Sequence, residues 1–165
     1  MSNVIIVGNP RPGSRTRAAA ENLAAKLGLE TPRVIELSEL GAGLLGWGDS
    51  AVAEAVAATR EAEVAIFASP TYKATYTGLL KLFLDQFDGA TGLNGVVAIP
   101  LMLGGAPNHA LAGEQTLKPV LGEIGAITAT PAVFQIDRAY EGDPALDAWV
   151  ERWAPVVRAI VAGLR

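Results

Sequence analysis

The sequence predicts an α/β domain spanning residues 1–165, with five parallel strands in the order 2-1-3-4-5 and helices on both faces. Three observations predict it. Strand-like and helix-like stretches alternate along the chain as βαβαβαβαβα. The strand-like stretches are continuous apolar runs, as expected of strands covered on both faces. Helices between such strands imply parallel pairing through crossovers, and five strands suit the doubly wound order with its switch point between strands 1 and 3.

Each element has its own signal. Residues 4–7 (VIIV) form the first apolar run, which breaks at Gly8. Residues 14–27 read as a helix, with Leu23 and Leu27 four apart and Gly28 as its stop. Residues 33–37 supply a short second strand, and residues 41–49 (GAGLLGWGD) hold too much glycine for a regular element. A helix over residues 51–60 takes Asp49 or Ser50 as its N-cap. Strand three covers residues 64–68 and ends at Ser69-Pro70. Residues 77–87 are helical, with Leu79, Leu80, Phe83, Leu84 and Phe87 on one broad apolar face. Strand four covers residues 96–101, and the helix after it runs over residues 108–124 and contains Pro119. Strand five lies within residues 126–136. Asp143 or Pro144 opens a last helix, on which Leu146, Trp149, Trp153, Val157, Ile160 and Leu164 keep helical spacing.

Composition narrows the chemistry. The chain has 165 residues, 50% hydrophobic and 18% charged, which suits one globular core rather than disorder. A net charge of −4 argues against general nucleic-acid binding, which needs many phosphate-neutralising cations. With no cysteine and one histidine, thiolate catalysis, disulfides and multi-histidine or thiolate metal sites are excluded, and no metal is expected. No apolar run is long enough to span a membrane, and the start lacks a signal-peptide pattern, so a soluble cytoplasmic protein is expected.

In an open parallel sheet, ligands bind beyond the carboxyl ends of the strands at the switch point. That rule selects three loops: residues 8–16, 69–77 and 103–109. The first, GNPRPGSRT, joins Gly8, Pro10, Pro12 and Gly13 to Asn9, Arg11, Ser14 and Thr16 at a helix start, where unpaired N–H groups and the dipole favour an anion. Such a set suits a phosphate monoester; its plain alternative is a βα turn with a Ser cap. The second, SPTYKATYTG, places Tyr72 and Tyr76 at the sheet mouth around Lys73, although Tyr76 equally fits the apolar helix face and the core. The third, LGGAPNHA, offers bare main chain at Gly104 and Gly105, or a helix-entry turn capped by Asn108. A phosphate loop facing two aromatic or glycine-bearing loops describes a site for flavin mononucleotide (FMN).

At these stretches, together with LKPVL at residues 117–121, the sequence resembles the NAD(P)H-dependent FMN reductase family of flavodoxin-like fold. The likeness runs from the first strand to the fifth and is nearest to reductases of alkanesulfonate-type two-component monooxygenase systems. The resemblance implies that Asn9, Arg11, Ser14 and Thr16 hold the FMN phosphate. It implies that Pro70, Thr71, Tyr72 and Lys73 line the ring and ribityl region, with Gly104 and Gly105 at the ring edge. Asn9 stands where the family has serine, and its amide can still donate. Lys81 and Asp85, four apart, match a pair tied to subunit packing in the family, or form an ordinary surface pair.

The expected activity is reduction of FMN by NADPH or NADH, with no catalytic side chain, because hydride transfer from nicotinamide to flavin N5 requires positioning alone. His109 is expected in a structural or site-rim role rather than as a proton donor. Arg15, Arg17 and Lys73 are candidates for the 2′-phosphate of NADPH. The expected acceptor of reduced flavin is a partner monooxygenase. The alternatives are an FMN-containing quinone, azo or metal-oxyanion reductase, or a flavodoxin-like electron carrier, which the charge of only −4 disfavours. The apolar helix over residues 77–87 and the loop with Leu44, Leu45 and Trp47 predict a homodimer or homotetramer, with Trp47 near a neighbour's site or packed on its own sheet.

Overall fold

A computed structural model describes residues 2–164. Its sheet has the order β2-β1-β3-β4-β5, built from β1 (Asn3–Val7), β2 (Arg33–Glu36), β3 (Val64–Pro70), β4 (Val97–Gly104) and β5 (Val133–Ile136), each pair parallel. This is the flavodoxin-like doubly wound arrangement read from the apolar runs.

The alternation of side chains along each strand divides the core into two layers. Val4 and Ile6 of β1 face one layer, with Phe67 of β3 and Met102 of β4. Onto that layer pack α3 (Ser50–Arg60), α4 (Gly78–Leu84) and α5 (Lys118–Glu123). Ile5 and Val7 face the other, under α1 (Arg15–Leu27) and α6 (Pro144–Gly163). The helix α4 buries Leu80, Phe83 and Leu84 but ends at Leu84, short of the expected residue 87; Phe87 lies just beyond it and is buried too, its ring edge-on to that of Phe83 at 5.3 Å. Asp49 accepts from the N–H groups of Ala51 and Val52 and is thus the cap of α3; Asp143 caps α6 through Ala145. Among the described residues no helix is long and apolar enough to cross a membrane.

Three further stretches depart from the expected elements. Glycine-rich residues 41–49 are not all irregular: a short α2 (Leu37–Leu40) leads into a 3-10 turn, Gly41–Leu45, anchored by the buried Leu44. The single helix expected over residues 108–124 is three pieces: a 3-10 turn Pro107–His109, a π-helical turn Gly113–Leu117, and α5. Pro119 is the physical reason for the π-helical turn before α5, since its ring excludes the helical carbonyl four residues back and it has no N–H to give. The N–H of Lys118 instead reaches Gly113 O, five residues back. Gly113 itself lies against the sheet, where a Cβ would come within 2.7 Å of Ala132.

Strand four also runs three residues further than expected, to Gly104, because β5 pairs with Leu101–Gly104. It carries Pro100 at a central position, normally forbidden. The interruption of its neighbour permits this. Ala98 N–H bonds Ile127 O at 3.0 Å on the β5 side. Pro100 N points the same way two residues later, into the gap between Ile127 and the start of β5 at Val133.

The carboxyl ends of β1 and β3 are locked together by one residue. Thr77 Oγ1 donates to Gly8 O at 2.6 Å and accepts from Leu80 N–H at 3.1 Å as the cap of α4, while Thr77 N–H donates to Ser69 Oγ at 3.0 Å. Thr77→Val keeps the shape and removes both hydroxyl bonds. It is expected to lower stability by about 2–3 kcal/mol, from a lost cap and a buried carbonyl left unpaired. Thr77→Ser is expected to cost less than half of that. Urea denaturation of the two variants reads the difference, and equal losses would assign the effect to packing.

Candidate functional site

Beyond the carboxyl ends of β1, β3, β4 and β5 lies a cleft of about 450 Å³. Nine of the ten residues that the sequence pointed to lie on its wall: Asn9, Arg11, Ser14, Thr16, Pro70, Thr71, Tyr72, Gly104 and Gly105. Lys73 does not.

The first loop is built around Asn9. Its Oδ1 accepts from Arg11 N–H at 2.9 Å, which closes an Asx turn, and its Nδ2 donates to Thr16 Oγ1 at 2.9 Å. Asn9 therefore shapes the loop from within. Thr16 is buried and holds that amide. Ser14 Oγ caps α1 through Arg17 N–H at 3.4 Å. Among the described residues no acceptor is bonded to the backbone N–H groups of Ser14, Arg15 and Thr16. These three residues line the cleft at the start of α1, where unpaired N–H groups suit an anion.

The three arginines have different fates. Arg11 is exposed on the cleft wall, with no ion pair among the described residues. Arg15 is on the wall and reaches Asp137 at 3.5 Å. Arg17 is not on the wall. It donates to buried Glu36 at 3.0 Å and to Glu21 at 2.9 Å, and these two hydrogen bonds, that to Glu36 foremost, raise its pKa. Glu36 Oε1 also accepts from Gly13 N–H at 3.0 Å, so the end of β2 fixes the tip of the first loop. Nucleotide contact by Arg17, entertained from the sequence, is thus replaced by a structural role.

In the second loop, Thr71 N–H continues the ladder to Leu103 O at 2.7 Å. Tyr72 and Thr75 then exchange main-chain hydrogen bonds around Lys73 and Ala74, whose φ values are +52° and +68°. The turn carries Lys73 away from the wall while Tyr72 stays at the mouth, half-exposed. Thr71 Oγ1 is buried without a partner among the described residues. Tyr76 packs against the core, and burial raises its pKa, which resolves its two readings in favour of packing. His109 is half-buried in its 3-10 turn, 3.3 Å from the Asn108 amide, and is not on the wall. The Lys81–Asp85 pair is exposed on α4.

Two functional-looking residues escaped the sequence reading. Glu36 is one and Asp137, directly after β5, is the other. For Asp137 a signal existed, since the rule that selected three strand ends applies to the fourth as well. Its Oδ1 is buried and has no partner among the described residues. A helix start with free N–H groups, two arginines, an orphaned threonine hydroxyl and a flanking tyrosine match the parts of FMN: a phosphate, a polyol and a flat ring.

The comparisons with known proteins agree. A family model described as NADPH-dependent FMN reductase matches residues 1–141. The chain belongs to that family. Its members are oxidoreductases that use FMN with NADPH or NADH, and this chain shares that chemistry. It is 35% identical to an FMN reductase (NADPH) of Pseudomonas aeruginosa over 81% of this chain and 75% of that one. It is 29% identical to an NADH-dependent FMN reductase of Pseudomonas putida over 94% and 90% of the two chains. Among solved structures, the apo form of an NADH:FMN oxidoreductase superposes with a TM-score of 0.84 at 31% identity, covering 99% of this chain and 90% of that one.

The two glycines at the end of β4 differ in what they permit. A Cβ on Gly104 would lie 2.7 Å from the Phe134 ring, whereas one on Gly105 meets nothing within 4 Å. Gly104→Ala is expected to destabilise the protein by about 1–3 kcal/mol through overpacking. Gly105→Ala is expected to leave the melting temperature unchanged and weaken flavin binding. Thermal melts paired with flavin-fluorescence titrations of both variants check this.

Proposed function

We propose that the cleft receives FMN with its phosphate on the free N–H groups of Ser14, Arg15 and Thr16. The ring system then faces Thr71, Tyr72 and the Gly104–Gly105 edge. The observation that carries the reading is the presence, on one wall, of a helix start with free N–H groups and an orphaned hydroxyl, Thr71 Oγ1, beyond the carboxyl ends of the neighbouring strands β1 and β3. A bound flavin supplies hydride acceptance from a reduced nicotinamide, which asks for no protein acid. The chain's part is to bind and orient. Arg11 adds charge to the phosphate end, and Arg15 stands where it can also meet a nicotinamide nucleotide's phosphate. Tyr72, at the mouth, leaves one side of the site open to a second planar ring.

The reading extends to the surroundings of the reaction. Reduced FMN is passed to a partner flavin-dependent monooxygenase, in keeping with the resemblance to two-component systems, and the protein works in the cytoplasm. It assembles as a homodimer or homotetramer. Leu45 and Trp47, 74% and 78% exposed beside α4, support an assembly contact. Static light scattering at micromolar protein is expected to give a dimer or tetramer mass; a monomer would reject the assembly.

Steady-state oxidation of NADH and NADPH, with FMN and riboflavin in parallel, tests the activity. Oxidation is expected to depend on added flavin and to favour FMN. Arg11→Ala is expected to weaken FMN about tenfold, the order of one charge-assisted hydrogen bond, and to leave riboflavin unchanged. An absence of FMN-dependent oxidation with either nucleotide overturns the reading.

A further inference from the structure

Among the described residues, Asp137 is the one carboxylate on a cleft wall otherwise suited to an anion. Its N–H donates to Gly104 O at 2.9 Å, which ties it to the ring end of the cleft. Its Oδ2 lies 3.5 Å from Arg15 Nη1, at the phosphate end. Its Oδ1 is buried and has no donor among the described residues. A buried carboxylate oxygen without a donor is costly and calls for one.

We infer that Asp137 is a specificity-determining residue whose Oδ1 accepts a hydroxyl group from the ligand's polyol chain, selecting flavins that carry the ribityl group. The inference rests on the FMN site proposed above. The phosphate oxygens and ring carbonyls of FMN are acceptors and have nothing to offer a carboxylate. The ring's own N–H lies on its pyrimidine edge, away from the side chain. The ribityl hydroxyls are donors, and they connect phosphate to ring just as Asp137 connects Arg15 to Gly104. The ion pair with Arg15 offsets the carboxylate's charge, so an acid is tolerated beside a phosphate site. The same pair holds Arg15 along the wall.

Dissociation constants for FMN, riboflavin and lumiflavin, the ring without its ribityl chain, test the role in wild type, Asp137→Ala and Asp137→Asn. Fluorescence quenching reads binding without turnover, and circular dichroism melts verify folding. Asp137→Ala is expected to weaken FMN and riboflavin alike, by about tenfold or 1.4 kcal/mol, and to leave lumiflavin unchanged. Asp137→Asn, which keeps an acceptor oxygen, is expected to lose less. Tighter FMN with unchanged riboflavin would mean that Asp137 repels the phosphate, and would overturn the inference. Equal losses for all three flavins would mean a merely structural role, and would overturn it too. Wild-type binding that neither variant alters rejects the role of Asp137 alone, whereas wild type that binds no flavin rejects the site itself.

Discussion

The site depends on how closely the end of β1 approaches the start of α4. Gly8 N–H bonds Ala68 O at 2.8 Å and Gly8 O accepts from Thr77 Oγ1, so the residue after β1 is held both by the end of β3 and by the start of α4. A Cβ at Gly8 would sit 2.8 Å from that of Leu80, within the closest distance two such atoms keep. Only bare backbone fits there. The first loop, with its helix-start N–H groups, and the second, with Thr71 and Tyr72, are thereby fixed relative to each other before any ligand arrives. Fixing donors in advance lowers the ordering cost of binding, and for a reaction that needs mainly alignment it is the protein's largest contribution.

Charge is distributed with the same economy. A chain of net charge −4 must concentrate positive groups locally to hold a phosphate. It does so with main-chain dipoles and few side chains. Glu36 withdraws Arg17 from the cleft and uses it, with Gly13 N–H, to secure the loop tip. Arg15 is shared with Asp137. Among the described residues, Arg11 is left as the uncommitted cation on the wall. Its side chain is exposed, so its attraction is screened by solvent and salt, and the backbone N–H groups set the geometry while Arg11 adds strength.

Most of this was legible in the sequence because it follows from local pattern. Continuous apolar runs such as VIIV and VAIF give buried parallel strands, the strand count gives the order, and the order gives the strand ends where ligands lie. The residues that escaped act across long stretches of chain. Glu36 meets Gly13 from 23 residues away and Asp137 meets Arg15 from 122. A lone carboxylate after a strand carries no periodicity that would announce either contact. Asn9 was visible and its purpose was not, because its two bonds run to its own loop's N–H and to Thr16 rather than outward. The broken helix around Pro119 was obscured for a related reason. Apolar spacing persists through a π-helical turn, so the pattern continues where the hydrogen bonds do not.

The second loop shows why Lys73 belonged to the motif but not to the wall. A two-residue turn between Tyr72 and Thr75 needs positive φ at both central positions, a geometry that Asn-Gly supplies and Lys-Ala resists. Left-handed backbone at a residue with a Cβ costs about 1–2 kcal/mol, so this turn exists because its surroundings enforce it. Thr71 N–H is pinned to Leu103 O on one side, and Thr77 is pinned to Ser69 and Gly8 on the other. Between those fixed points the chain has only Tyr72 to Tyr76 in which to reverse. The tight turn leaves the Tyr72 ring at the cleft mouth and sends the lysine outward. Two anchors on the sheet thus decide which of two adjacent side chains a ligand can meet, and no reading of SPTYKATYTG by residue type alone distinguishes them.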